Sequence, residues 1–150
     1  MFCLPMGKMT HEIITLWYRP PDVLLGSKDY MTTIDMWSIG CIFAEMVTGK
    51  ALFTGLNETD QTKKIFKIIG TPSEEYFPNL KKLSGWSEEF DKFPGQNIKQ
   101  YVPSLENDGY DLLISMLQAN PDKRITTEDA LNHSYFNEIK DSIIKEIYNK

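Results

Sequence analysis

Residues 33–48, Thr-Ile-Asp-Met-Trp-Ser-Ile-Gly-Cys-Ile-Phe-Ala-Glu-Met-Val-Thr, constrain this chain more than any other segment. Ile34, Met36, Trp37, Ile39, Cys41, Ile42, Phe43, Met46 and Val47 go round the whole of a helix rather than along one stripe. A helix apolar on all sides belongs in the centre of a domain, which must supply partners for each face. Thr32 and Asp35 stand at capping-box spacing, and Gly49 is a natural stop.

The rest of the pattern surrounds that helix with others. Pro20-Pro21 breaks the chain, and residues 22–26 fit one short helical turn ended by glycine. A helix is predicted over Glu58–Ile69, opened by Asn57 and closed by Gly70-Thr71-Pro72, and others over Gly109–Gln118 and from Thr126. An amphipathic tail helix is expected from about Asp141, within a tail of residues 138–150. Residues 72–105, punctuated by Pro72, Pro78, Pro94 and Pro103, read mostly as loop, an unusual length that is often functional. Strand alternation is absent, so the expected fold class is mainly α.

The chain has 150 residues, 41% hydrophobic and 25% charged, which fits one ordinary domain and excludes wholesale disorder. A net charge of −5 argues against non-specific nucleic-acid binding and leaves no basic membrane patch. No apolar run approaches the ~18 residues of a membrane span, and Met1–Met9 does not read as a signal peptide. Cys3 and Cys41 make neither a disulfide framework nor a metal quartet, so no metal site is expected. A reducing compartment, cytoplasmic and/or nuclear, follows as the expected location. Fourteen lysines accompany only two arginines, Arg19 and Arg124. Arginine does multidentate work that lysine cannot, so each of the two is a candidate for a built contact. Trp17, Trp37, Phe43, Tyr135 and Phe136 are expected in the core, and Cys41 is expected to be buried and inert.

Four segments carry more than a helical pattern. They are Thr10-His11-Glu12-Ile13-Ile14-Thr15-Leu16-Trp17-Tyr18-Arg19-Pro20-Pro21-Asp22, the helix from Thr33 to Met46, Ile69-Gly70-Thr71-Pro72, and Asn120-Pro121-Asp122-Lys123-Arg124-Ile125 followed by His133-Ser134-Tyr135-Phe136. In this order they resemble the C-terminal, helical lobe of a cyclin-dependent protein kinase. The form Arg19-Pro20-Pro21-Asp22-Val23-Leu24 is most similar to the neuronal and yeast phosphate-pathway members. The resemblance covers about residues 2–137 and implies a partial kinase domain over 1–137.

The resemblance implies roles residue by residue. Thr10 matches the activating phosphorylation site, where a phosphate would add about −1.5 to −2 charge and order the segment through arginines. Ile13, Ile14 and Arg19 match the pocket that prefers proline after the phosphoacceptor, since proline has no N–H to leave unpaired. Two valines are usual where Ile13-Ile14 stand. Thr15 matches a residue that contacts the catalytic aspartate. Asp22 and Arg124 match a buried ion pair, with aspartate where glutamate is usual. Asp35 matches the residue that holds the catalytic loop. The implied partners are a cyclin, Ser/Thr-Pro protein substrates, and a small accessory subunit at residues 72–105.

The family reaction moves the γ-phosphoryl of Mg-ATP to Ser or Thr, and needs a Gly-rich loop, a strand lysine, an H-R-D loop and a D-F-G segment. None of these occurs among the 150 residues. No catalytic residue is therefore assigned, and neither ATP nor Mg is expected on this chain alone. Three readings stay open: an inactive lobe portion of a kinase, a non-catalytic interaction module, and an incomplete gene model that starts inside the activation segment.

Overall fold

Local signals in the sequence place most of the helices. A computed structural model of the chain describes residues 15–28 and 32–138. The tail-helix expectation for 138–150 falls almost wholly outside that range. Among the described residues, five helices follow one another: α1 (Pro21–Leu24), α2 (Thr33–Thr48), α3 (Glu58–Ile69), α4 (Asn107–Met116) and α5 (Thr127–Leu131). Single 3-10 turns lie at Leu16–Tyr18, Leu80–Lys82, Ile98–Gln100, Pro121–Lys123 and Ser134–Phe136. Among the described residues there is no strand.

Each helix starts and stops for a local reason. Pro21 opens α1, where a missing N–H costs nothing. The Asn57 side chain accepts the Asp60 N–H at 2.9 Å and caps α3. Thr126 does the same for α5, accepting from the Asp129 N–H at 3.1 Å. Gly49 ends α2 at φ 70°, a left-handed backbone that a residue without Cβ adopts freely. Asn57→Ala is expected to lower stability by about 1 kcal/mol, with Asn57→Asp close to neutral. The urea midpoints of the two variants check this.

Two boundaries differ from the sequence reading. Thr32 is already helical (φ −56°, ψ −17°), and its side chain makes no cap bond. Capping requires extended backbone at that residue, so the Thr32–Asp35 spacing is incidental. Helix α4 runs from Asn107 to Met116 rather than from Gly109 to Gln118. Its first turn is polar and so lies outside the apolar pattern.

The larger of two apolar clusters joins helices α1 to α4. Trp37 and Cys41 of α2, Ile65 and Phe66 of α3, and Leu113 of α4 meet Leu24, Leu25 and Phe53. Trp37 is fully buried and stacks on Phe53 with centroids 5.7 Å apart. Phe43, Tyr135 and Phe136 are only partly buried, at the edge of a second cluster around Met36, Leu112, Met116 and Ala130.

The long segment 72–105 is an integral part of that core. Phe77, Leu80, Ile98, Val102 and Leu105 are buried in it. The segment is fastened at several points: the Gly85 N–H donates to Leu25 O at 2.9 Å, Thr71 N–H to Phe93 O at 3.0 Å, and Gln96 N–H to Ile68 O at 2.7 Å.

Helix α2 is not covered all round by the described residues: its own pattern asks for partners on every face, while the resemblance implies an apolar face left open where the catalytic loop and the helix before it would pack. Trp37, Gly40, Cys41 and Ala44 are buried, whereas Ile39 and Ile42 are each 46% exposed and Met46 is 79% exposed. Asp35, Ile39, Ile42 and Met46 repeat at i, i+4, i+7 and i+11, which is one face of a helix. The described elements supply partners for the other faces and leave this one open.

Candidate functional site

The site expected from the sequence begins at residue 10; Thr10, Ile13 and Ile14 lie outside the described residues. From Thr15 onward its geometry is clear. Thr15 is exposed and precedes the Leu16–Tyr18 turn, its carbonyl accepting the Tyr18 N–H at 3.0 Å.

That turn is pinned to two helices. Tyr18 donates its hydroxyl to Glu45 Oε2 of α2 at 2.7 Å, and Ser38 Oγ donates to Tyr18 O at 2.9 Å. The Glu45 hydrogen bond, with a smaller contribution from desolvation, pushes the Tyr18 phenol above its ordinary range. On the other side, Trp17 Nε1 donates to Gly55 O at 3.0 Å. Gln61 of α3 closes the loop: its Nε2 donates to Trp17 O at 3.1 Å, and its Oε1 accepts the Gly55 N–H at 2.6 Å. Gln61 is fully buried, so leaving either end unpaired would be costly. A Cβ at position 55 would fall 2.5 Å from Gln61 Cα, so only glycine fits there.

The sequence reading placed Trp17 in the core, but it is 41% exposed. Its indole N–H has its acceptor in the loop at Gly55, which keeps the ring at the surface.

Arg19 is buried and its Nη1 meets Glu58 Oε1 of α3 at 2.6 Å. Glu58 and Gln61 were not picked out from the sequence. Gln61 had a signal: it shares the helix face of Ile65 and Ile68, a polar residue in an apolar row. Glu58 had none, since a carboxylate in a first helical turn is ordinary.

The other arginine does more. Arg124 Nη2 meets Asp22 Oδ1 at 2.7 Å, with both side chains almost wholly buried. Its Nη1 donates to Thr33 O at 2.7 Å and its Nε to Gln118 O at 3.1 Å. The guanidinium lies 5.4 Å from the Trp37 ring centroid. One side chain thus joins α1, the start of α2 and the end of α4. Asp35 is exposed in the first turn of α2, at the head of the open stripe. Cys41 is buried, and desolvation pushes its thiol above the usual range, only partly opposed by Arg124.

A cleft of about 490 Å³ opens where the end of α3, the 72–105 segment and α4 meet. Thr71, Tyr76, Phe93, Tyr110 and Gln118 are among its lining residues. Among the described residues no group of three or more His, Cys, Asp and Glu could hold a metal ion, and no helix is long and apolar enough to cross a membrane.

The protein kinase domain model matches residues 4–136. This chain belongs to the protein kinase family. It is 49% identical over 140 residues to cyclin-dependent kinase B2-2 of Arabidopsis thaliana, an alignment covering 93% of the chain and 44% of that relative. The kinase chain described here thus spans less than half the length of the relative it matches. By sequence it is similar to a cyclin-dependent kinase, and its described residues are helical, as in the C-terminal lobe of a protein kinase.

Proposed function

We propose that residues 1–137 are the C-terminal lobe portion of a cyclin-dependent-kinase-like Ser/Thr protein kinase, followed by a tail helix over 138–150. The Arg19-Pro20-Pro21-Asp22-Val23-Leu24 form supports the neuronal and yeast phosphate-pathway branch. The whole protein would transfer the γ-phosphoryl of Mg-ATP to Ser or Thr followed by Pro, with a cyclin partner, in the cytoplasm and/or nucleus. This portion would contribute the phosphosite Thr10 and the substrate pocket of Ile13, Ile14, Thr15 and Arg19. Asp22 and Arg124 would anchor the activation segment.

The open stripe on α2 carries this reading. Asp35 stands at its head, with Ile39, Ile42 and Met46 below it, on a helix otherwise packed in a core. In a kinase lobe this is the face for the catalytic loop and the helix before it, with Asp35 as the loop's anchor. ATP and Mg do not fit the residues of this chain, which hold neither a Gly-x-Gly pattern nor the H-R-D and D-F-G segments. Titrating Mg-ATP calorimetrically into the purified chain should therefore give no binding heat. An apolar dye should bind the folded chain and lose most of that binding in Ile39→Asp/Ile42→Asp. Micromolar ATP binding by the chain alone would overturn the reading.

The cleft beside the 72–105 segment favours a second role as an interaction module. Its size suits a docked side chain or short segment of an accessory subunit.

A further inference from the structure

The cleft between the end of α3, the 72–105 segment and α4 differs in chemistry from the rest of the chain. Of all residues 25% are charged, yet none of those lining the cleft is. Three aromatic residues, Tyr76, Phe93 and Tyr110, line it together with Gln118. Burial pushes the Tyr76 phenol above its ordinary range, so its hydroxyl adds no charge. Lys99 Nζ lies 5.6 Å from the Tyr110 ring centroid and donates to Leu105 O. An entering cation would thus face Lys99 with no lining acid to balance it, and an entering anion would find no lining cation. Either would give up water without a partner.

The polar side chains of the cleft are mostly spent on the fold. Thr71 Oγ1 donates to Asp91 O at 2.6 Å and accepts the Phe93 N–H at 3.0 Å. Gln96 Oε1 accepts the Tyr101 hydroxyl. Gln118 is different. Its Oε1 accepts the Tyr76 hydroxyl, and its Nε2 donates to Ile114 O at 2.7 Å. A primary amide has two N–H donors and two acceptor lone pairs, so one of each remains. That pair matches a peptide group, which offers one N–H and one C=O. The wall is also fixed: a Cβ on Gly95 would lie 3.1 Å from Gly70 N, so the two segments meet backbone to backbone.

We infer that this cleft receives an uncharged aromatic side chain of a partner protein, together with the peptide group beside it. The inference rests on the reading of the cleft as a docking site for part of another chain, and names that part. Ring-on-ring packing selects an aromatic over an aliphatic side chain. A wall already fixed loses little freedom when the ring enters.

The test titrates the purified, 15N-labelled full chain with blocked amino acids and reads its amide shifts. N-acetyl-tryptophanamide should move the signals of Thr71, Gln96, Tyr110 and Gln118, with a dissociation constant of about 1 mM. N-acetyl-leucinamide should bind about fivefold more weakly at the same residues. N-acetyl-tryptophan carries a carboxylate and N-acetyl-lysinamide an ammonium, and each should bind about tenfold more weakly. Ile114→Trp, which fills the cleft from α4, should abolish the shifts while the signals of α2 keep their positions. Unchanged shifts in that variant overturn the placement of the site. Leucinamide or a charged probe binding as tightly as the tryptophanamide overturns the selection of a neutral ring and leaves the docking reading standing. Shifts confined to other residues, or none with any probe, overturn both.

Discussion

Asp22→Ala should destabilise the folded chain by about 3–5 kcal/mol, measured as a shift in the urea midpoint. The loss comes less from the missing attraction than from what stays behind. Arg124 is buried, and without Asp22 its charge has only the Thr33 and Gln118 carbonyls and the Trp37 face for company. For a domain whose whole stability is about 5–15 kcal/mol, such a change brings the chain close to unfolding at room temperature. The double variant Asp22→Leu/Arg124→Met should lose less than Asp22→Ala alone, because it buries no unpaired charge. A loss below about 1 kcal/mol for the single variant would remove the pair from its structural role.

Phe66→Ala should cost a similar amount, about 3–5 kcal/mol, with a different spatial signature. Phe66 is buried on α3 and meets Phe90 edge to face at 5.7 Å and Trp86 at 6.4 Å. Trp86 and Phe90 in turn lie 5.5 Å apart. This aromatic trio fastens the middle of the 72–105 segment to the lobe. Amide exchange in the variant should therefore quicken first over residues 84–93, with α2 following only at global unfolding. Equal acceleration in both places would show that the trio is not a local fastening.

How much of this was legible depended on how far apart the cause and its effect lie in the chain. The end of α2 and both bounds of α3 could be read because glycine, proline and an asparagine cap act within a few residues of themselves. The core role of the 72–105 segment could not. Phe77, Leu80, Ile98, Val102 and Leu105 are buried one by one from irregular backbone, so they show no period to count. The open stripe on α2 could not be read from the helix's own pattern and followed only from the resemblance, since the catalytic loop and the helix before it are not among the 150 residues. An all-round apolar pattern says what a helix is built to meet, not which neighbours the described chain provides. At the site, Asp22 and Arg124 lie 102 residues apart, and only the resemblance named them as partners. Gln61 was readable in principle as the polar member of an apolar row. Glu58 became visible only when α3 was set beside Arg19.

The two arginines have a meaning of their own in a chain with fourteen lysines. Arg19 and Arg124 are both buried, and Arg124 spends separate nitrogens on three acceptors in three parts of the chain. A lysine at 124 would offer its donors from a single point and could not reach that spread. At position 124 the interior requires a guanidinium. Exchanging Arg124 for lysine would therefore keep the charge yet leave buried carbonyl acceptors without their donors.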